Sequence, residues 1–120
     1  MSHETITRCV AELLEAYRGA QRADDGGRAL VRLKEVGLPE GCVPATTAAL
    51  VILDPGQPKP RVLVRDKPRT PAGVDPRNVS PEIVAGETWY TFSYNVAWDE
   101  NKHTAVQFVE SALRRFAKNE

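Results

Sequence analysis

The sequence contains few of the residues that build metal sites and disulfide frameworks. Its 120 residues include two cysteines, Cys9 and Cys42, and two histidines, His3 and His103. The cysteines form no CxxC pair, and a structural zinc site usually needs four Cys or His ligands. We therefore expect no metal ion and no other cofactor. Two free thiols are the ordinary expectation for a chain in a reducing compartment.

Long apolar runs and an excess of one charge are also missing. Sixteen Lys and Arg residues balance sixteen Asp and Glu residues, so no global attraction to nucleic acid or to a membrane is expected. No apolar run approaches the roughly 20 residues that cross a bilayer. The first residues, MSHETITRC, lack the basic start and apolar core of a signal peptide. These absences predict a soluble, cytoplasmic protein with no membrane partner.

Aromatic residues are few, but five of the eight lie between positions 89 and 98. Their alternation predicts a strand with one strongly apolar face: Tyr90, Phe92, Tyr94 and Val96 point one way, and Trp89, Thr91, Ser93 and Asn95 the other. Asp99 is then expected to cap a C-terminal helix. The apolar stripe of that helix is Val106, Val109, Leu113 and Phe116. We expect this helix to cover the aromatic face of the strand.

The N-terminal third predicts helices. Residues 3–18 have an amphipathic pattern whose apolar stripe is Ile6, Cys9, Val10, Leu13, Leu14 and Tyr17. The glycine-rich stretch 19–27 is expected to end this helix, and Asp24 or Asp25 to cap a short second helix from Arg28 to Val36. Apolar residues also alternate in residues 29–33, so a strand remains open there.

All nine prolines lie between Pro39 and Pro81. The nearly continuous apolar run 47–53 predicts a central strand buried on both faces, and the alternating run 61–65 predicts a second strand. Residues 66–86 form a long excursion whose prolines oppose a regular helix or an inner strand. We expect four apolar anchors to hold it against the body: Val74, Val79, Ile83 and Val84.

This order of elements predicts an α+β fold, with a small antiparallel β-meander packed against N-terminal and C-terminal helices. The length favours a single domain over residues 1–120. Within it, residues 1–20 hold the N-terminal helix, residues 28–116 the body, and residues 66–86 a proline-rich flap.

Three stretches give the chain a resemblance to a known family. DPGQPKPRVLVRD at Asp54–Asp66 looks like a proline-rich link and strand, DPRN at Asp75–Asn78 is similar to a His-Pro-Asn triplet, and Trp89 or Trp98 precedes a helix. Together they resemble the ubiquitin-conjugating (UBC) fold and its RWD relatives. In that family a catalytic cysteine follows the triplet, but here residues 79–85 read VSPEIVA. Asp75 replaces the histidine and Arg77 interrupts the triplet.

The resemblance implies an inactive member of the family, because conjugation needs a nucleophile that can be acylated. It implies a non-catalytic protein-interaction subunit of a bacterial ubiquitin-like conjugation system, and not an enzyme. Its partners would be an activating enzyme, an active conjugating enzyme or the modifier. The N-terminal helix or the flap would carry the contacts, and the candidate contact residues are Leu13, Tyr17, Arg61, Arg65, Lys67, Arg69 and Ile83.

Two other functions remain open. Basic residues between positions 59 and 77, next to aromatic residues on a sheet, could bind a single-stranded nucleic acid, although the neutral net charge disfavours this. Cys42, in a loop that could expose it, could serve as the nucleophile of a conjugating enzyme, although no histidine lies near it in sequence.

Two catalytic patterns are incomplete. Ser93, Asp99 and His103 lack the GxSxG-type turn that presents a nucleophilic serine. Asp25-Gly26-Gly27-Arg28 has too few glycines, and no following Lys-Ser/Thr, for a phosphate-binding loop.

Overall fold

A computed structural model describes residues 1–76 and 78–117. One sheet and two helices form the fold: α1 (His3–Ala16), β1 (Gln21–Asp25), β2 (Arg28–Gly37), β3 (Thr46–Leu53), β4 (Arg61–Val64), β5 (Ser80–Val84), β6 (Glu87–Thr91) and α2 (Ala105–Leu113), followed by a 3₁₀ turn at Arg114–Ala117. All strand pairs are antiparallel, in the order β1-β2-β3-β4-β6-β5. The predicted α+β class is confirmed.

Both helices pack against one face of the sheet. The Ser2 hydroxyl caps α1 by accepting the Thr5 N–H at 3.1 Å, and a capping box between Thr104 and Gln107 starts α2. The core on this side joins side chains of α1, α2 and the strands β2, β3 and β4, including Leu13, Val31 and Phe108. None of the described helices is long and apolar enough to cross a membrane.

The opposite face of the sheet carries a second, smaller core made only of strand residues: Leu30, Leu50, Ile52, Leu63, Val84 and Trp89. Leu50 and Ile52 of β3 face this cluster while Val51 and Leu53 face the helices, so the prediction of a strand buried on both faces is confirmed. The sheet curls toward its helix-free face. Its two edge strands, β1 and β5, line one cavity there, and Arg32 of β2 reaches Glu87 of β6 across two intervening strands.

The predicted second helix is wrong. Residues 21–25 and 28–37 form a β-hairpin, and Gly26 and Gly27 build its two-residue turn with φ values of 59° and 87°. Glycine adopts these left-handed angles without a Cβ penalty, and the resulting turn matches the twist of the flanking strands. The alternating apolar residues of β2 then bury against the helices, and this packing overrides local helix signals.

The aromatic strand is shorter than predicted, because β6 ends at Thr91. Beyond it, the Tyr94 hydroxyl accepts the Val62 N–H at 2.9 Å and takes the place of a ladder bond. Burial raises the pKa of the Tyr94 phenol above its usual value. The predicted apolar face does lie on the helix side, where Tyr94 and Phe108 rings meet edge to face at 5.8 Å.

Asp99 does not cap the C-terminal helix, which begins after Thr104. Its carboxylate accepts the Asn101 N–H at 2.9 Å, and its carbonyl accepts the His103 N–H at 2.8 Å. Asp99 therefore closes a turn ahead of the helix. Aspartate side chains accept backbone N–H groups both in turns and at helix starts, so the residue type alone does not distinguish the two.

The flap contains a strand that was not predicted, β5, at the edge of the sheet. Pro81 fits there because a proline at an edge position removes no ladder bond. Two of the four expected anchors pack inward, since Val84 is buried and Val79 is half-buried. The other two do not, because Val74 is 45% exposed and Ile83 74% exposed.

The β5–β6 turn carries local strain that a substitution should relieve. Ala85 has a φ of 49°, in the left-handed region where a Cβ costs about 1–2 kcal/mol. Since Asn-Gly is a preferred pair for this turn, Ala85→Asn should raise the free energy of unfolding by about 0.5–1 kcal/mol. Urea denaturation measures this free energy of unfolding. Gly86→Ala, at a φ of 81°, should lower the free energy of unfolding. Equal stabilities for the original chain and the two variants would contradict the assignment of strain to this turn.

Candidate functional site

Both thiols are buried. The Cys42 thiol donates to the Phe116 carbonyl oxygen at 3.3 Å, so its loop does not expose it. Burial raises the pKa of the Cys9 thiol and that of the Cys42 thiol. A nucleophilic cysteine needs access and a stabilised thiolate, and neither residue has this environment. The geometry therefore does not favour a conjugating enzyme that uses Cys42.

The other catalytic patterns are not assembled either. The His103 ring accepts the Asp99 N–H at its Nδ1 atom, 2.9 Å away, which ties the imidazole to its own turn. Asp25-Gly26-Gly27-Arg28 forms the β1–β2 turn and not the start of a helix. Within residues 1–76 and 78–117, no group of three or more His, Cys, Asp or Glu side chains could hold a metal ion.

The seven predicted contact residues lie in different environments. Leu13 is 0% exposed, inside the core between α1 and the sheet, so it is not available to a partner. Tyr17 is half-buried and lines a cavity of about 460 Å³ with residues of β2 and α2. Ile83 projects from β5, and Lys67 and Arg69 lie on the flap. Arg61 and Arg65 belong to the helix-free side of the sheet.

Trp89 is the centre of this helix-free side. Its ring is 1% exposed, and the guanidinium carbons of Arg32 and Arg65 each lie 5.5 Å from the ring centroid, within cation–π range. Glu87 accepts from both arginines, at 3.0 Å from Arg32 Nη1 and 3.1 Å from Arg65 Nη1. The two arginines and the glutamate thus form a cover over the indole. Beside it lies a cavity of about 210 Å³ that extends to β1 and the β5–β6 turn.

This arrangement weakens the case for nucleic-acid binding. Three of the basic residues face acidic partners, with Arg61 on Glu82 at 3.0 Å, Arg65 on Glu87, and Lys67 on Asp75 at 3.6 Å. The aromatic residues from Tyr90 onward pack on the helix side, where bases cannot stack on them. Single-strand binders need accessible rings beside unpaired cations.

A second surface lies where the flap meets the loop between β2 and β3. Val43 and Arg69 exchange two backbone hydrogen bonds, of 3.2 and 2.8 Å. In the flap, the Thr70 N–H donates to the Val74 carbonyl at 2.9 Å. These bonds fix two exposed apolar side chains, since Val43 is 64% and Val74 45% exposed. We call Val43, Pro71 and Val74 the flap patch.

The flap patch differs from a loose loop because its backbone polar groups are paired. At Gly41, a Cβ would stand 3.0 Å from the Pro71 side chain, so the two loops approach closely. Exposed apolar side chains that lie close together can mark a contact surface for another protein, and the approach of the two loops makes the flap patch a candidate. The sequence analysis offered the flap as a contact surface and did not include Val43, because the Val43–Arg69 pairing joins segments that lie far apart in the chain.

Comparison with known proteins supplies no relative from which a role could be transferred. No protein-family model, curated protein or solved structure matches the chain. The function must therefore be argued from the two surfaces described above.

Proposed function

We propose that this chain is a non-catalytic protein-binding module that acts as a scaffold in a ubiquitin-like conjugation system. The flap patch carries the protein-binding part of the proposal, because it presents Val43 and Val74 on a hydrogen-bonded backbone. The resemblance of the 54–66 and 75–78 segments to the ubiquitin-conjugating family motivates the choice of system. The partner would be an activating enzyme, an active conjugating enzyme or the modifier.

The environment of the thiols supports the non-catalytic part. A conjugating enzyme must present a thiolate to the modifier, whereas Cys9 and Cys42 are both buried with raised pKa values. We expect the purified protein to form no thioester with any modifier. We also expect Cys42→Ala to leave the activity of the complex unchanged; a loss of activity in that variant would count against the proposal.

The binding test is purification from the source cells, with the intact complex weighed. A conjugation enzyme or modifier should accompany the chain at fixed stoichiometry. Val43→Asp combined with Val74→Asp should weaken that complex about 10–100-fold. Each introduced carboxylate would be unpaired and desolvated in an apolar contact. Both valines are exposed in the free chain, so the double variant should fold normally.

Leu14→Asp is the matched control, since Leu14 is also an exposed apolar residue but lies on α1, away from the flap. It should leave the complex intact. Equal loss of binding in both variants would contradict the assignment of the contact to the flap patch. A chain that emerges alone, or with nucleic acid, would contradict the proposed function.

A further inference from the structure

Strand β1 leaves one edge of the sheet open. It pairs with β2 on one side, and the described residues place no strand on the other. Four of its five residues are exposed and Asp25 is half-buried. The opposite edge, β5, contains Pro81, which lacks an N–H to donate to a further strand. The β1 edge contains no proline, so all its outward N–H groups remain available for pairing.

The turn defines which backbone groups of β1 point outward. A two-residue turn makes the flanking residues, Asp25 and Arg28, exchange two hydrogen bonds. Bonded and non-bonded pairs then alternate along an antiparallel ladder, so Ala23 bonds to Leu30 of β2. The N–H and C=O groups of the remaining residues, Arg22 and Asp24, therefore face away from β2.

These two residues make the edge complementary to itself. If a second copy of β1 lies antiparallel across a two-fold axis at Ala23, then Arg22 pairs with the partner's Asp24, and Asp24 with the partner's Arg22. Both pairs use only outward-facing backbone groups, and both place opposite charges side by side. Shifting the register by two residues sets Arg22 against the partner's Arg22, or Asp24 against the partner's Asp24, and like charges directly opposite are destabilising.

We propose that β1 joins two copies of this chain into an antiparallel dimer whose sheet runs continuously through both copies. In the single chain, Arg22 Nη2 lies 3.2 Å from Asp24 Oδ1, and both side chains are well exposed. Such an exposed pair contributes little, so it exchanges readily for the two pairs across the axis. Because β1 also lines the cavity beside Trp89, the second copy extends the wall of that cavity.

Sedimentation equilibrium of the full chain, from micromolar to millimolar concentration, tests the proposal. Short edge strands bury little area, so the dimer should be weak and reversible, with an average mass that rises toward twice that of the chain. Arg22→Asp alone, or Asp24→Arg alone, puts like charges opposite each other at both pairs. Each variant should dimerise at least about tenfold more weakly.

An equimolar mixture of these two variants provides the control, because each heterodimer again has two opposite-charge pairs. The mixture should recover the affinity of the original chain, as should the doubly exchanged variant Arg22→Asp/Asp24→Arg. The doubly exchanged variant keeps the composition and net charge of the original chain, so differences in folding or solubility cannot account for recovery. A chain that stays monomeric at all concentrations overturns the proposal. So do single variants that dimerise normally, or a mixture that fails to recover.

Discussion

Replacing Trp89 by alanine is expected to lower the free energy of unfolding by about 3–5 kcal/mol. Trp89 is 1% exposed and is the largest side chain of the small core on the helix-free face. Its removal leaves a cavity that no helix can move in to fill, because this core is made only of strand residues. The substitution also takes away the ring that lies under the guanidinium groups of Arg32 and Arg65.

Urea denaturation followed by far-ultraviolet circular dichroism measures this loss, since the substitution removes one of the two fluorescent tryptophans. Trp89→Phe is the first control, because it keeps an aromatic ring in the core and should lose less stability. Ser93→Ala, at an exposed position just beyond β6, should change the free energy by no more than about 0.5 kcal/mol. A loss below about 1 kcal/mol in Trp89→Ala would show that the small core is not a structural unit.

The elements with one dominant signal could be predicted from the sequence. The apolar run of β3 and the alternation of β4 are both strong strand signals, and β4 is also buried on its second face, through Leu63. The prediction of a helix in place of the β1–β2 hairpin failed, because glycines end helices and also build tight turns. For α2 the sequence held the better signal, since Thr104 and Gln107 have the spacing of a capping box, whereas Asp99 has no such partner.

The cover over Trp89 could not be predicted in the same way. Arg32 lies 55 residues from Glu87 in the chain, and Arg65 lies 22 residues from it. Only the order of strands and the curl of the sheet bring them together. The two-residue spacing of Glu87 and Trp89 is enough to place them on one face of a strand. It could not show which side chains from other strands would face them.

Leu13 and Leu14 provide the sharpest test of how α1 is oriented. Both belong to the apolar stripe seen in the sequence, where Leu13 was a candidate partner contact, but the structure separates them: Leu13 is 0% and Leu14 41% exposed. Leu13→Ala should therefore lower the free energy of unfolding by about 2–5 kcal/mol. Leu14→Ala should change it by less than about 1 kcal/mol, since alanine also favours the helix.

Thermal and urea unfolding of the two variants make the comparison, and their matched chemistry removes differences in composition. The result also bears on the interaction surface. If Leu13 were a partner contact, its replacement would weaken a complex while leaving the free chain stable. If it belongs to the core, the free chain itself loses stability, and any loss of binding follows from unfolding. Equal stabilities for the two variants would mean that α1 is rotated about its axis relative to the sheet, and the exposed face of α1 would then have to be reassigned.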